Sequence, residues 1–155
     1  MLRKLAACVL LAVSAPAAAD LGVNVYGLSY HFSRARAHEL GMDNGFNPGL
    51  GLRYRVSHSE RLQWIIDAGA YHDSGRNTAL LAGAGALWKV GESWRLGAGL
   101  AALKSDTYNR GKGFIAPLPL AAYEFRSATL NFTFFPKVAE VNEVATFGVW
   151  LTWWP

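Results

Sequence analysis

Five residues carry the side chains that could do chemistry: His31, His72, Asp73, Ser74 and Asp106, each at the end of an apolar, alternating segment. His31 shares parity with Ser29 and Gly27, and Asp73 with Asp67 and Tyr71, so both are expected to point inward at one rim. A histidine, a carboxylate and a hydroxyl at one opening are the ingredients of general-base activation of an oxygen nucleophile. Strand ends and loop tips also collect Asp, Ser and His for turn formation and solubility, so the trio by itself is compatible with a purely structural role. The sequence has no Gly-x-Ser-x-Gly elbow, no zinc-spaced His/Cys cluster and no phosphate-binding loop. His38 and His58 fall in a loop and a turn and read as surface residues.

The elements that must position this trio are extended. Segments with aromatic or aliphatic side chains at every second position run over roughly 22–32, 48–57, 62–72, 79–90, 94–104, 114–125, 128–136 and 144–154. Their connections alternate: long at 33–47, 73–78, 105–113 and 137–143, and short at Ser57–Arg61, Gly91–Ser93 and Arg126–Ser127. An even number of strands with long loops on one side and tight turns on the other predicts an all-β fold, an eight-stranded antiparallel transmembrane β-barrel with both termini inside. Parity gathers Tyr26, Leu28, Tyr30, Phe32, Trp64, Ile66, Trp94, Leu96, Leu100, Phe132, Phe134, Phe147, Val149, Leu151 and Trp153 on one apolar face, which would meet lipid. A soluble barrel with an ordinary core would leave that outward aromatic band unexplained.

Composition agrees with one such domain. The chain is 52% hydrophobic, 13% aromatic and only 17% charged, which excludes a disordered tail or a coiled coil. Residues 1–19 read as a cleaved signal peptide: basic Arg3 and Lys4, an apolar run from Leu5 to Val13, and Ala17-Ala18-Ala19 before Asp20. The barrel is then the single domain 20–155. Loss of Arg3 and Lys4 takes two from the formal charge of +4, so no nucleic-acid partner is implied. Cys8, the only cysteine, goes with the leader, leaving neither a disulfide nor a thiol nucleophile. After residue 20 no apolar run reaches the ~18–20 residues of a membrane helix.

The opposite face carries Gly27, Ser29, Gly49, Gly51, Gly69, Gly83, Gly85, Gly97 and Gly99. An eight-stranded barrel is about wide enough for its own side chains, so a glycine-lined interior leaves room for a ligand, although glycines also relieve crowding where strands coil. Arg53, Arg55, Asp67 and Arg95 lie lower on that face and can pair to close the other end. The expected interior is an apolar well, open at the long-loop rim and plugged below.

Several of these residues, in order, resemble a known family. His31 ends the first long strand, Asp73-Ser74 opens the second long loop, and Gly83-x-Gly85 follows. Pro117-Leu118-Pro119-Leu120 opens the sixth strand, and Phe134-Phe135-Pro136 closes the seventh. The pattern is similar to the PagP family of outer-membrane lipid A palmitoyltransferases, in register across almost the whole mature chain. Three features depart from it: Asp20 leads almost directly into the first strand where family members carry an amphipathic helix, Tyr26 stands where a proline is expected, and the sequence ends Trp153-Trp154-Pro155 rather than in a final aromatic.

The resemblance implies an acyltransferase that takes a fatty acyl chain, usually palmitoyl, from a glycerophospholipid donor and places it on lipid A. It implies His31, Asp73 and Ser74 as catalytic residues on the cell-surface side of the bacterial outer membrane; in the mechanism expected for such a trio, His31 takes the proton and Asp73 orients its imidazole. Gly85 would be the floor of the acyl-chain pocket, with Gly83, Gly49, Gly51 and Gly69 along it, and Pro119 and Pro136 would flank lateral lipid entry, since proline gives no N–H to a ladder. From Thr78 to Gly85, at ~3.3 Å per residue and ~40° tilt, the well would be about 18 Å deep. Ester exchange between lipids needs proton transfer and positioning, so neither a metal nor an organic cofactor is called for, and a monomer suffices. Two other readings remain open: a non-catalytic structural or lipid-binding barrel, and a hydrolase that releases the fatty acid to water.

Overall fold

The computed structural model describes residues 19–57 and 59–155; residues 1–18, which hold nearly all of the expected leader, and His58 lie outside them. Eight antiparallel strands close in chain order: β1 (Ala19–His31), β2 (Phe46–Ser57), β3 (Leu62–His72), β4 (Thr78–Lys89), β5 (Trp94–Lys104), β6 (Phe114–Glu124), β7 (Ala128–Phe135) and β8 (Thr146–Trp153). β8 pairs back to β1, so every strand has a neighbour on both sides and the sheet closes on itself, as a strand fold needs if it is to cross hydrocarbon. Among the described residues no helix is long and apolar enough to cross a membrane. The chain is a transmembrane β-barrel of the outer-membrane type.

The alternation read from sequence is the alternation observed. Leu28, Phe32, Leu50, Ile66, Leu100, Ile115 and Trp153 are exposed on the outside, while Ile65, Leu87 and Ala122 are buried within. Outward aromatics gather near both ends. Trp94 stacks on Phe132 at 6.0 Å toward the short turns, and Phe32 meets Phe134 edge-on at 5.8 Å toward the long loops. Such girdles mark the two interfaces of a membrane barrel.

Tyr26 corrects the parity reading. Periodicity put it on the lipid face, but the register slips between Tyr26 and Leu28 against both neighbouring strands. A β-bulge at Gly27 inserts one residue there, so parity inverts below it. Tyr26 therefore turns into the barrel, 5.4 Å from the Tyr71 ring, and Asn24 is fully buried.

The short-turn half is plugged by a polar network. Arg53 donates to Asp67 at 2.7 and 2.8 Å and to Asn131 at 2.6 Å. Asn131 donates to Thr152, Thr152 to Asn24, and Asn24 to Asp67, closing the circuit. Arg95 pairs with Glu124 at 2.8 Å, and Arg55 pairs with Asp20. Removing one partner of the buried Arg53–Asp67 pair would cost about 3–5 kcal/mol because the other charge stays behind.

At the other end the long loops fold onto one another. The first contains a short helix, α1 (Arg34–Glu39), absent from the sequence reading. Ala37, Met42 and Val144 are buried there, and Arg36 reaches Glu143 of the fourth loop at 2.7 Å.

Candidate functional site

The last residue of β1 and the second long loop bring His31 and Ser74 together: His31 Nε2 lies 2.9 Å from Ser74 Oγ. Both side chains are buried, because the first loop covers them. Asn44 donates its backbone N–H to the Ser74 carbonyl and its side-chain amide to the Asp73 carbonyl. With Nε2 as acceptor, the Ser74 hydroxyl donates, which is the contact a general base needs to take that proton.

Asp73 is not the imidazole's partner, and here the expected triad is corrected. Its carboxylate, fully buried, accepts the backbone N–H groups of Gly75 and Asn77, each at 2.9 Å, the Thr107 hydroxyl at 2.9 Å, and the Ser105 hydroxyl. A carboxylate buried this deeply must satisfy its lone pairs locally. Asp73 does so by folding its own turn and by tying the third loop to it. The pair in contact is Ser74 with His31, and Asp73 holds the loop that carries Ser74. His72 points outward, Asp106 is exposed, and His38 is exposed and paired with Asp43 at 2.8 Å.

Ser74 lines the mouth of an interior cavity of about 380 Å³ with apolar walls that include Leu81, Leu103, Leu118 and Leu120. Of the five glycines expected along it, only Gly83 touches it. A Cβ at Gly51 or Gly69 would meet the Tyr26 hydroxyl at 2.8 and 2.7 Å, and one at Gly49 would run into the Ala70 carbonyl oxygen and the Tyr71 Cα of β3. Gly51 and Gly69 thus make room for the inward Tyr26 and Gly49 for the close approach of β3, rather than for a ligand. Gly85 lies one layer beneath the cavity, because Leu120 covers it. The inward register of β4 is as expected, but the floor is a leucine.

The cavity opens sideways. The β6–β7 ladder runs only from Leu120–Thr133 to Glu124–Thr129, while the β5–β6 ladder continues through Pro119 and Pro117 to Phe114. The missing proline donors therefore fall on the β7 side. Thr133 Oγ1 donates to the Pro119 carbonyl at 2.9 Å and ends the paired stretch. Beyond it Pro117 and Pro136 line the cavity at the slot.

Sequence reading missed the third loop. Tyr108 lines the same cavity as Ser74, its phenol lies beside Ser74, and burial pushes its pKa up to about 12. The run Ser105-Asp106-Thr107-Tyr108, directly after a strand that ends at the same rim, is the signal that could have found it.

No protein-family model and no curated protein matches the chain. Solved structures do match. A de novo designed transmembrane β-barrel is 17% identical with a TM-score of 0.53, covering 88% of this chain and 95% of that one. A second, the designed TMB2.3, is 13% identical with a TM-score of 0.54, covering 90% and 98%. Ail, the attachment invasion locus protein of Yersinia pestis, is 11% identical with a TM-score of 0.40, covering 88% and 97%. The likeness to the designed barrels is one of fold.

Proposed function

We propose that this barrel is an acyltransferase acting between membrane lipids, moving a fatty acyl chain, palmitoyl by resemblance to the PagP family, from a glycerophospholipid to lipid A. The observation that carries the reading is the His31–Ser74 contact at 2.9 Å at the mouth of an apolar cavity with a lateral opening. The donor's acyl chain enters through the β6–β7 slot and occupies the cavity, which sets its ester carbonyl at Ser74. Ser74 Oγ attacks that carbonyl while His31 Nε2 takes its proton. The tetrahedral adduct collapses, the C–O bond to glycerol breaks, and the imidazolium returns the proton to the leaving lyso-lipid oxygen. A hydroxyl of the acceptor then attacks the acyl-Ser74 ester with His31 again as base, and Ser74 leaves reprotonated.

The orientation that fits is the long-loop rim at the cell surface, where lipid A resides. Burial of the pair beneath the first loop would keep water from the ester and favour transfer over hydrolysis. The test is mass spectrometry of lipid A from cells with and without the protein. An added acyl mass that appears only with the protein supports the reading. Unchanged lipid A, with the barrel present and folded, leaves the non-catalytic barrel in its place.

A further inference from the structure

Developing negative charge on the ester oxygen must be met by a donor near Ser74, and the third loop brings one there. Asp73 accepts the Ser105 and Thr107 hydroxyls, and Thr107 also accepts the Asn77 side chain at 3.0 Å. The next residue in the chain is Tyr108. Its backbone is extended, and Gly111 N–H donates to its carbonyl at 2.9 Å. On the far side, Asn109 N–H donates to the Val141 carbonyl of the fourth loop at 3.0 Å. The loop is therefore pinned on both flanks of Tyr108, and the phenol is held between Ser74 and the cavity.

We propose that Tyr108 is a third catalytic residue: its phenol O–H donates a hydrogen bond to the oxyanion formed when Ser74 attacks the acyl carbonyl. Two features of the site suit that role. The phenol stands beside the Ser74 side chain on the wall of the cavity that both line, so a carbonyl carbon within reach of Ser74 Oγ places its oxygen near the phenol. A buried phenol whose pKa stands at about 12 also keeps its proton, so it donates a hydrogen bond without becoming an acid in the reaction. The same placement gives Asp73 its function, which is to fix the loop bearing the donor rather than to touch the imidazole. A preorganised donor of this kind contributes about 10²–10³ in rate.

This inference rests on the acyl-transfer reading, and the experiment separates the two. Wild type, Ser74→Ala and Tyr108→Phe barrels are compared, in detergent-lipid micelles, for turnover of a phosphatidylcholine bearing a palmitoyl chain. The rate of Ser74 labelling by an alkyl fluorophosphonate is also measured; there Ser74 Oγ displaces fluoride and His31 takes the proton. Tyr108→Phe is expected to lower kcat about 10²-fold with KM within about 2-fold, and to slow labelling similarly, while heat-modifiable migration stays that of wild type. Equal kcat in Tyr108→Phe, or a loss confined to KM, would overturn the oxyanion role while leaving acyl transfer standing. A wild type that neither turns over lipid nor labels at Ser74 overturns both. Should Tyr108→Phe misfold, Tyr108→Gln, which keeps a donor, is compared with Tyr108→Leu; equal kcat in that pair also rejects the role.

Discussion

The Cδ1 of Leu120 lies across Gly85: a Cβ built at Gly85 would stand 3.0 Å from it, and one at Gly99 3.3 Å. Leu120 also packs against Ile65, Leu87 and Ala122, so it stands between the cavity and Gly85. Leu120→Ala should extend the cavity to Gly85, and the acyl mass added to lipid A should rise by roughly two to four carbons with mixed donors. Gly85→Met would push Leu120 upward and shift selection toward shorter chains. Unchanged chain selection in both active variants would place the acyl chain elsewhere.

His31→Ala and Ser74→Ala should each leave a folded, heat-modifiable barrel, because neither side chain belongs to the polar plug. Each should lower acyl transfer by about 10²-fold or more through loss of general-base help or of the nucleophile. Full activity in His31→Ala would return the 2.9 Å contact to a structural role.

Asp73→Asn replaces an acceptor-only group that takes two backbone N–H groups and two hydroxyls with one that must present an NH₂. The expected cost is about 1–3 kcal/mol from unmet buried groups. Proteolysis of intact barrels should show increased cleavage within 105–113, since two of the bonds that hold that loop end on the Asp73 carboxylate. An Asp73→Asn protein with wild-type protection of the third loop would contradict the assignment.

A cysteine pair Pro119→Cys with Phe134→Cys spans the point where the β6–β7 ladder stops. Oxidation should close the slot and abolish transfer, and reduction should restore it. Equal activity in both states would mean that lipids enter by another route.

Burial holds the Tyr108 pKa at about 12, above its ordinary value of 10.0. The folded state therefore binds this proton more tightly than the unfolded state. The associated stability, on the order of 2–3 kcal/mol, is fully present below pH 10 and is lost as pH rises toward 12. Denaturation measured across that window should show a smaller loss in Tyr108→Phe than in wild type.

The barrel was legible because lipid imposes period-two alternation on every strand, and the seven loops and turns announce themselves where it stops. Tyr26 was not, because a bulge leaves no mark in the alternation apart from an ordinary glycine. The glycine face was legible as a face, but not as a cavity wall. Whether Gly51, Gly69 or Gly85 borders space or a neighbour depends on Tyr26 and Leu120, which arrive from other strands. His31 and Ser74 could be placed at one rim by parity. Two of the four partners of Asp73, Ser105 and Thr107, lie in another loop about thirty residues away, where no periodicity connects them.

The closed top and open flank of the barrel have a kinetic consequence. With the loops folded over His31 and Ser74 and the slot between β6 and β7 facing lipid, the proposed acyl donor would arrive by diffusion in the plane of the bilayer. Its effective concentration is a mole fraction in the membrane rather than a molarity in water. Inert amphiphile added to a vesicle or micelle then dilutes the donor in two dimensions, so apparent saturation follows surface composition and is insensitive to the volume in which the membranes are suspended.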